Sequence, residues 1–130
     1  MLVSLTPILK KAQKQHYAVG AFNIYNLETL QAVIHAAEKM NSPVILQTSE
    51  SALAYAGLDA FAATIKVSAS LSRIPICVHL DHGKDLKIIH RCLDYGYTSV
   101  MFDGSLLPFS KNIALTQRVV AWAHKKKASV

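Results

Sequence analysis

Short apolar runs alternate with amphipathic stretches along the whole chain, and this alternation most restricts how the chain can fold. Four runs predict buried strands, at residues 17–25, 44–48, 75–80 and 98–102. Each run is followed by a stretch in which apolar residues recur every three or four positions, the period of one helix face. The pattern predicts an α/β fold with parallel strands, because strands joined through right-handed helical crossovers run in the same direction.

Turn and capping residues predict where the elements begin and end. Thr6, which precedes a proline, predicts the start of a short leading helix, and Asn26 predicts the N-cap of the next helix. Gly96 predicts the end of the helix after the third strand, and Ser110 predicts the cap of the last helix. These signals predict a leading helix and four strand–helix units, with a loop over residues 49–57.

Two architectures fit these units. The strands are almost continuously apolar, as at residues 43–46 and 74–78, which indicates a parallel sheet covered on both faces. The units fit half of a (βα)8 barrel or a small open doubly wound sheet. The chain has 130 residues, about half of what a closed barrel needs, so length alone favours the open sheet. No linker divides the chain, and residues 1–130 are predicted to form a single domain.

The polar residues at the strand ends favour the barrel instead. Barrel enzymes carry their chemistry where the strands end and in the loops that follow. Here the predicted ends hold Asn23, the polar stretch 47–50, the histidines and aspartate of 79–82, and the polar turn 103–105. The first strand is not followed by the glycine-rich fingerprint that an open nucleotide-binding sheet requires.

The densest group of reactive side chains lies at the end of the third predicted strand. His79 and Asp81 are two residues apart on a strand and share a face, while His82 begins the loop and can turn over the strand end. A neutral imidazole is a common metal ligand, and a neighbouring carboxylate can orient it or act as an acid or base. The alternative is a solvated turn in which Asp81 caps a helix. A single histidine also falls short of the three protein ligands that catalytic zinc requires.

Composition excludes several classes of function. No segment is apolar for long enough to cross a membrane, and residues 1–14 lack the apolar run of a signal peptide. The 14 basic and 8 acidic groups give a net charge of +6, but the basic residues are dispersed and only 125–127 form a tight run. Cys77 and Cys92 lie in apolar stretches, where reduced, packed thiols are expected. We therefore expect a cytoplasmic protein without a membrane or nucleic-acid partner.

Several motifs together resemble one enzyme family, the class II fructose- and tagatose-bisphosphate aldolases. The similar segments occur in the same order along the whole chain: VSL (3–5), YAVGAFN (17–23), NLET (26–29), SPVIL (42–46), HLDHG (79–83), TSVMFDGS (98–105) and LPF (107–109). The resemblance implies the first four βα units of a TIM (βα)8 barrel, preceded by a short N-terminal helix. It further implies zinc-dependent, reversible cleavage of a ketose 1,6-bisphosphate to dihydroxyacetone phosphate and glyceraldehyde 3-phosphate. Fructose and tagatose bisphosphate both remain open as the substrate.

The resemblance also implies roles for five residues. Asp81 matches the catalytic acid/base carboxylate and His82 matches the first zinc ligand, while Asp103 matches a carboxylate at a second metal position. Ser49 matches a residue that contacts the glyceraldehyde 3-phosphate portion of the substrate, and Asn23 matches a pocket-lining position. Without the resemblance, Asn23, Ser49 and Asp103 would be interpreted as turn or loop residues.

The remaining zinc ligands and the ketose-phosphate loops of the family lie beyond the fourth unit, so the chain resembles the N-terminal half of the enzyme. We expect weak zinc binding and no measurable aldol cleavage by this polypeptide alone. The expected partners are a phosphorylated ketose and further copies of the chain in a homo-oligomer, because a half-barrel leaves sheet edges open. The alternative function is a non-catalytic half-barrel that acts only by association.

Overall fold

The computed structural model describes all 130 residues, which form helices packed on one parallel sheet. The helices are α1 (Leu5–Gln15), α2 (Leu27–Lys39), α3 (Glu50–Ala56), α4 (Leu58–Leu71), α5 (Leu86–Tyr95) and α6 (Phe109–Lys125), and the strands are β1 (Gly20–Asn23), β2 (Val44–Ser49), β3 (Ile76–Gly83) and β4 (Ser99–Phe102). No helix combines the length and the apolar content that a membrane crossing requires.

The order of the strands in the sheet decides between the two predicted architectures. The order is β1-β2-β3-β4, and each neighbouring pair is parallel. A doubly wound sheet reverses its strand order at a switch point, whereas consecutive units of a barrel add each new strand to the same side. The open doubly wound sheet is therefore excluded, and the prediction of the first four units of a (βα)8 barrel with a leading helix is confirmed.

The next residues along the chain continue this order. The N–H of Ser129 donates to Thr98 O and the N–H of Val100 donates to Ser129 O, both at 3.0 Å. Ser129 thus pairs in parallel with the free side of β4. The chain after α6 therefore pairs on the side of β4 where a fifth barrel strand would lie.

The two faces of the sheet carry different cores. The face toward α2, α4, α5 and α6 holds the main core, in which Leu46, Val78, Leu80 and Val100 are buried. Residues on the opposite, inner face alternate with these along each strand. There α1 packs over the beginnings of the strands, where Ile8 contacts Ile45 and Cys77. The inner face is thus apolar where the strands begin.

Two of the four helix boundaries that were predicted from local chemistry are confirmed. The Asn26 side chain accepts the N–H of Thr29 at 2.9 Å, and the Thr29 hydroxyl accepts the N–H of Asn26 at 3.2 Å, so α2 begins with a capping box. Gly96 ends α5 in the left-handed conformation with φ 92°, as predicted. The predicted first strand is longer than β1, and the predicted third strand stops short of Gly83.

Two predicted caps are wrong. The first helix begins at Leu5, so Thr6 lies inside its first turn rather than before it. The last helix begins at Phe109, directly after Pro108, so Ser110 is its second residue and not its cap. In both segments a proline near the helix start fixes φ in the helical range, which lets the helix begin without a capping side chain.

The predicted loop at 49–57 is also wrong, because residues 50–56 form α3. The Ser49 hydroxyl accepts the N–H of Ala52 at 3.2 Å and so caps this short helix. Ala52 and Leu53 are buried, and Leu53 belongs to the main core. Tertiary burial stabilises a helix that is too short to show a clear period in the sequence.

The free edge of β1 borders an exposed apolar groove. The groove has a volume of about 510 Å³ and is lined by residues of β1, of the segment before it and of α2, among them Tyr17, Phe22, Val33 and Met40. The Phe22 side chain is 50% exposed. Exposed apolar surface beside an unpaired strand edge favours association with another chain.

Both cysteines are free and buried, as predicted. Burial raises the pKa of Cys77 to about 11 and that of Cys92 to about 12. The thiolate is the reactive form of cysteine. Burial therefore lowers the reactivity of both residues in two ways, by blocking access of a reagent and by keeping the thiol protonated.

We therefore expect neither thiol of the native chain to react with iodoacetamide at pH 8, and both to react in urea. The thiolate fraction of Cys77 should be about two orders of magnitude below that of an ordinary thiol at this pH. Mass spectrometry of pulse-labelled protein measures the modification at each position. Equal labelling rates in the native and unfolded states would contradict the packing described for these residues.

Candidate active site

A row of polar side chains crosses the inner face of the sheet above the apolar layer. The register pairs Asn23 with Gln47, Gln47 with His79, and His79 with Ser99, so each strand contributes one residue. These residues lie two positions beyond the apolar layer on the same face. His79 Nδ1 lies 2.8 Å from Ser99 Oγ. Burial lowers the pKa of His79 and so favours the neutral imidazole. The negative charge of Asp81 acts in the opposite direction but is the smaller effect.

A second layer begins one step further toward the strand ends. Ser49 and Asp81 are partners in the β2–β3 register. The Ser49 hydroxyl lies 2.9 Å from Ser51 Oγ in addition to capping α3. The sequence-predicted residues Asn23, Ser49 and Asp81 therefore lie on three neighbouring strands, at the same end of the sheet.

His82 lies between two carboxylates. Its Nδ1 is 3.0 Å from Asp103 Oδ2, and its Nε2 is 3.9 Å from Asp81 Oδ1. The His82 side chain is 63% exposed, whereas the side chains of Asp81 and Asp103 are 21% and 9% exposed. The structure thus brings together the three residues that the sequence analysis assigned to proton transfer and metal binding.

A local irregularity in the strand pairing turns His82 toward Asp103. The β3–β4 register shifts between Leu80 and Gly83, and His82 adopts a left-handed conformation with φ 50°. The N–H of Asp103 donates to Gly83 O at 2.7 Å, which restores the pairing. His82 was expected to begin a loop, but it lies within β3 as a bulge, because the chain pairs again directly after it.

Gly83 is required at this bulge for steric reasons. A Cβ atom on Gly83 would lie 2.7 Å from the Met101 carbonyl oxygen and 2.9 Å from side-chain atoms of Ile89 and Leu80. A contact with a backbone oxygen at that distance cannot be relieved by turning a side chain. The glycine therefore lets β4 approach β3 closely at the position where the imidazole meets Asp103.

Hydrogen bonds from Ser105 hold Asp103 in place for its contact with His82. Asp103 Oδ1 accepts the hydroxyl of Ser105 at 2.6 Å and the N–H of Ser105 at 3.1 Å. The Ser105 hydroxyl, followed by His82, holds the pKa of Asp103 well below its usual range. The Asp103 hydrogen bond and the Asp81 charge raise the pKa of His82. The site is therefore an oriented imidazole beside an ionised carboxylate.

Two contacts at the site were not found from the sequence. His79 pairs with Ser99, and the Glu50 carboxylate accepts the N–H groups of Lys84 and Asp85. The sequence analysis placed Glu50 in a polar strand-end stretch but assigned it no partner. The partners lie 34 and 35 residues away, so only the order of the strands in the sheet could have indicated the contact.

The side-chain chemistry fits part of a zinc site. Imidazole nitrogen and carboxylate oxygen are among the ligands that zinc takes in proteins, and His82, Asp81 and Asp103 supply both kinds. No three or more histidine, cysteine, aspartate or glutamate side chains in this structure are arranged to hold a metal ion together. The structure therefore shows ligand types that suit zinc, but no complete ligand set.

Consecutive parallel strands with polar side chains at their carboxyl ends define a protein of the (βα)8-barrel class with a strand-end site. A family model described as "Fructose-bisphosphate aldolase class-II" matches residues 3–130. The chain belongs to the class II fructose-bisphosphate aldolase family.

Individual relatives agree with this assignment. The chain is 42% identical over 132 residues to a fructose-bisphosphate aldolase of Giardia intestinalis, covering 99% of this chain and 40% of that protein. It is 43% identical over 129 residues to the D-tagatose-1,6-bisphosphate aldolase subunit GatY of Klebsiella oxytoca, covering 99% of this chain and 45% of that protein. The crystal structure of the YdjI aldolase from Escherichia coli K12 matches with a TM-score of 0.91 and 34% identity, covering 96% of this chain and 47% of that chain. The chain thus spans less than half the length of these relatives.

The contacts of His82 predict its titration in the metal-free chain. We expect its pKa to lie above the ordinary value of 6.5 and to fall in the Asp103→Asn variant, which keeps the shape of the side chain but removes its charge. The pH dependence of the imidazole Cε1–H resonance in NMR spectra measures both values.

The raised pKa of His82 also makes the stability of the folded chain depend on pH. The folded chain binds this proton more tightly than the unfolded chain does. The resulting stabilisation is therefore present below pH 6.5 and is lost as the pH rises through the raised pKa. The resonances of His16 and His35, which lie outside the site, serve as controls for a local effect. A His82 pKa that is the same in both proteins would contradict the Asp103 contact.

Proposed function

We propose that this chain forms the amino-terminal part of the active site of a ketose-bisphosphate aldolase. The reaction is reversible cleavage of fructose 1,6- or tagatose 1,6-bisphosphate to dihydroxyacetone phosphate and glyceraldehyde 3-phosphate, carried out in the cytoplasm. The observation that carries this proposal is the convergence of Asp81, His82 and Asp103 at the strand ends, in a chain that belongs to the aldolase family. The names of the Giardia and Klebsiella relatives support the two candidate substrates.

His82 is the proposed zinc ligand of this chain. Its Nδ1 faces Asp103, so Nε2 is the nitrogen available for a metal, and the Asp103 carboxylate orients the ring. Asp103 is also the proposed carboxylate of a second metal position, since its side chain lies at the same strand end. Zinc, when bound, supplies a Lewis acid that polarises a carbonyl group.

Asp81 is the proposed catalytic acid/base. Its carboxylate is partly exposed and lies 3.9 Å from His82 Nε2, the nitrogen proposed to bind zinc, so it would lie close to a substrate held by that metal. In cleavage, Asp81 accepts the proton of the C4 hydroxyl as the C3–C4 bond breaks, and in the condensation direction it returns this proton. Ser49 is proposed to contact the glyceraldehyde 3-phosphate portion, and Asn23 is proposed to line the pocket from β1.

Substitutions should separate the roles of His82 and Asp81. In a chain that carries the full length of the family, His82→Ala should lower zinc content and turnover together, because a coordination bond is lost. Asp81→Ala should retain zinc and lower kcat by about 10² to 10⁴, the usual contribution of general acid/base catalysis. Elemental analysis beside steady-state cleavage assays measures both quantities.

Two results would change the assignment of Asp81. A variant that loses its zinc would show that Asp81 supports the metal rather than transferring a proton. A variant that retains both zinc and the wild-type kcat would end the acid/base assignment. Asp94→Ala is a suitable control, because this carboxylate lies near the end of α5, where it pairs with His90 and Lys126 and contacts none of the site residues.

A non-catalytic half-barrel that acts by association is the second candidate, and the open β1 edge favours it. The 510 Å³ groove exposes Phe22 and Tyr17 there, while Leu106 and Phe109 are exposed beside α6. Apolar surface is therefore available at both sides of the sheet. In either function, we propose that copies of the chain associate through these sides.

We expect the 130-residue chain to self-associate at tens of micromolar in sedimentation velocity experiments, and Phe22→Ser to weaken the association. Leu71→Ser is the matched control, because Leu71 is exposed at the end of α4, away from the β1 groove. A sharp monomer boundary for the unmodified chain, together with cooperative unfolding, would contradict association.

A further inference from the structure

Glu50 connects two loops that the chain sequence keeps far apart. It is the first residue of α3, directly after β2, and its Oε1 accepts the N–H of Lys84 at 2.6 Å and the N–H of Asp85 at 2.7 Å. Lys84 and Asp85 lie in the turn between β3 and α5, immediately after the bulge that holds His82. A carboxylate that accepts two backbone N–H groups makes strong, directional hydrogen bonds.

The two N–H groups depend on this carboxylate for partners within the protein. The pairing of β3 with β4 ends at Gly83, and Asp85 is the N-cap of α5, so neither N–H belongs to the sheet ladder or to the helix. The Asp85 side chain is itself used to cap Lys87. Glu50 is therefore the side chain that fixes the path of the backbone from β3 into α5.

The residue after β4 also holds the backbone at the bulge. Asp103 contacts the His82 ring and donates its N–H to Gly83 O. The bulge is thus held from the β4 side by Asp103 and from the β2 side by Glu50. His82 has a φ of 50°, a conformation that residues other than glycine adopt only when their surroundings constrain them.

We propose that Glu50 is a positioning residue that anchors the turn after β3 and thereby keeps the His82 imidazole directed at Asp103. The consequence for metal binding rests on the proposed function, in which His82 is a zinc ligand. The anchoring of the turn does not depend on the proposed function, because it concerns only the backbone at residues 82–85. Loss of an interaction that orients a metal ligand typically weakens metal binding by about 10- to 100-fold.

Glu50→Ala and Glu50→Gln test the anchor in the 130-residue chain by NMR. Glu50→Ala should lower the hydrogen-exchange protection of the Lys84 and Asp85 amides by at least about tenfold, since both lose their acceptor. It should also weaken the strong intraresidue HN–Hα NOE that His82 gives in its left-handed conformation. Glu50→Gln retains the acceptor oxygen and should restore most of both signals.

Glu28→Ala is the matched control, because Glu28 is a carboxylate in the first turn of α2. It should leave both signals at Lys84, Asp85 and His82 unchanged, and the urea unfolding midpoints should show that all variants are folded. Unchanged protection in Glu50→Ala would overturn the proposal. A Glu50→Gln chain that behaves like Glu50→Ala would also overturn it, because the effect would then come from charge.

Zinc titration of the same substitutions, made in a chain that carries the full length of the family, separates this inference from the proposed function. Weaker binding by Glu50→Ala with rescue by Glu50→Gln supports both. A turn that loosens while the zinc affinity stays unchanged supports the anchoring of the turn and contradicts the assignment of His82 as the ligand. A zinc affinity that falls while the turn remains protected overturns the positioning role of Glu50.

Discussion

The parallel ladder between β2 and β3 determines which side chains can meet at the strand ends. The register runs from Val44 and Ile76 to Ser49 and Asp81, and each step alternates between the two faces of the sheet. A slip of one residue would turn the polar row toward the helices and the apolar row toward the site. The buried residues of the main core oppose such a slip, so the same hydrophobic packing that stabilises the fold also aligns the functional groups.

Backbone hydrogen bonds and the Asp103 carboxylate together order the site. Asp103 is held by the Ser105 N–H and hydroxyl, while its own N–H joins β4 to the end of β3. The imidazole of His82 remains largely exposed, yet its direction is fixed by the bulged backbone and by the Asp103 carboxylate. A ligand that binds this ring meets a nitrogen whose position was set during folding, which lowers the entropic cost of binding.

The sequence was informative where a single residue type determines the local geometry. Asn26 and Gly96 marked real helix ends, and the strand-end motif around Asp81 and His82 contains two of the three side chains that the structure brings together, the third being Asp103. It was uninformative where burial decides, as in α3, and where the partners are distant in the chain, as for Glu50. The bulge at His82 could not be predicted from the sequence either, because it depends on where β4 resumes pairing with β3.

Gly83 has a consequence for how this chain can change through mutation. Every codon change that replaces a glycine adds at least a Cβ atom, and at this position the atom would press against the Met101 carbonyl. No single replacement can therefore be neutral for the spacing of β3 and β4. A substitution at Gly83 would therefore alter the contact between the imidazole and the acid that follows β4 without changing either of those two side chains.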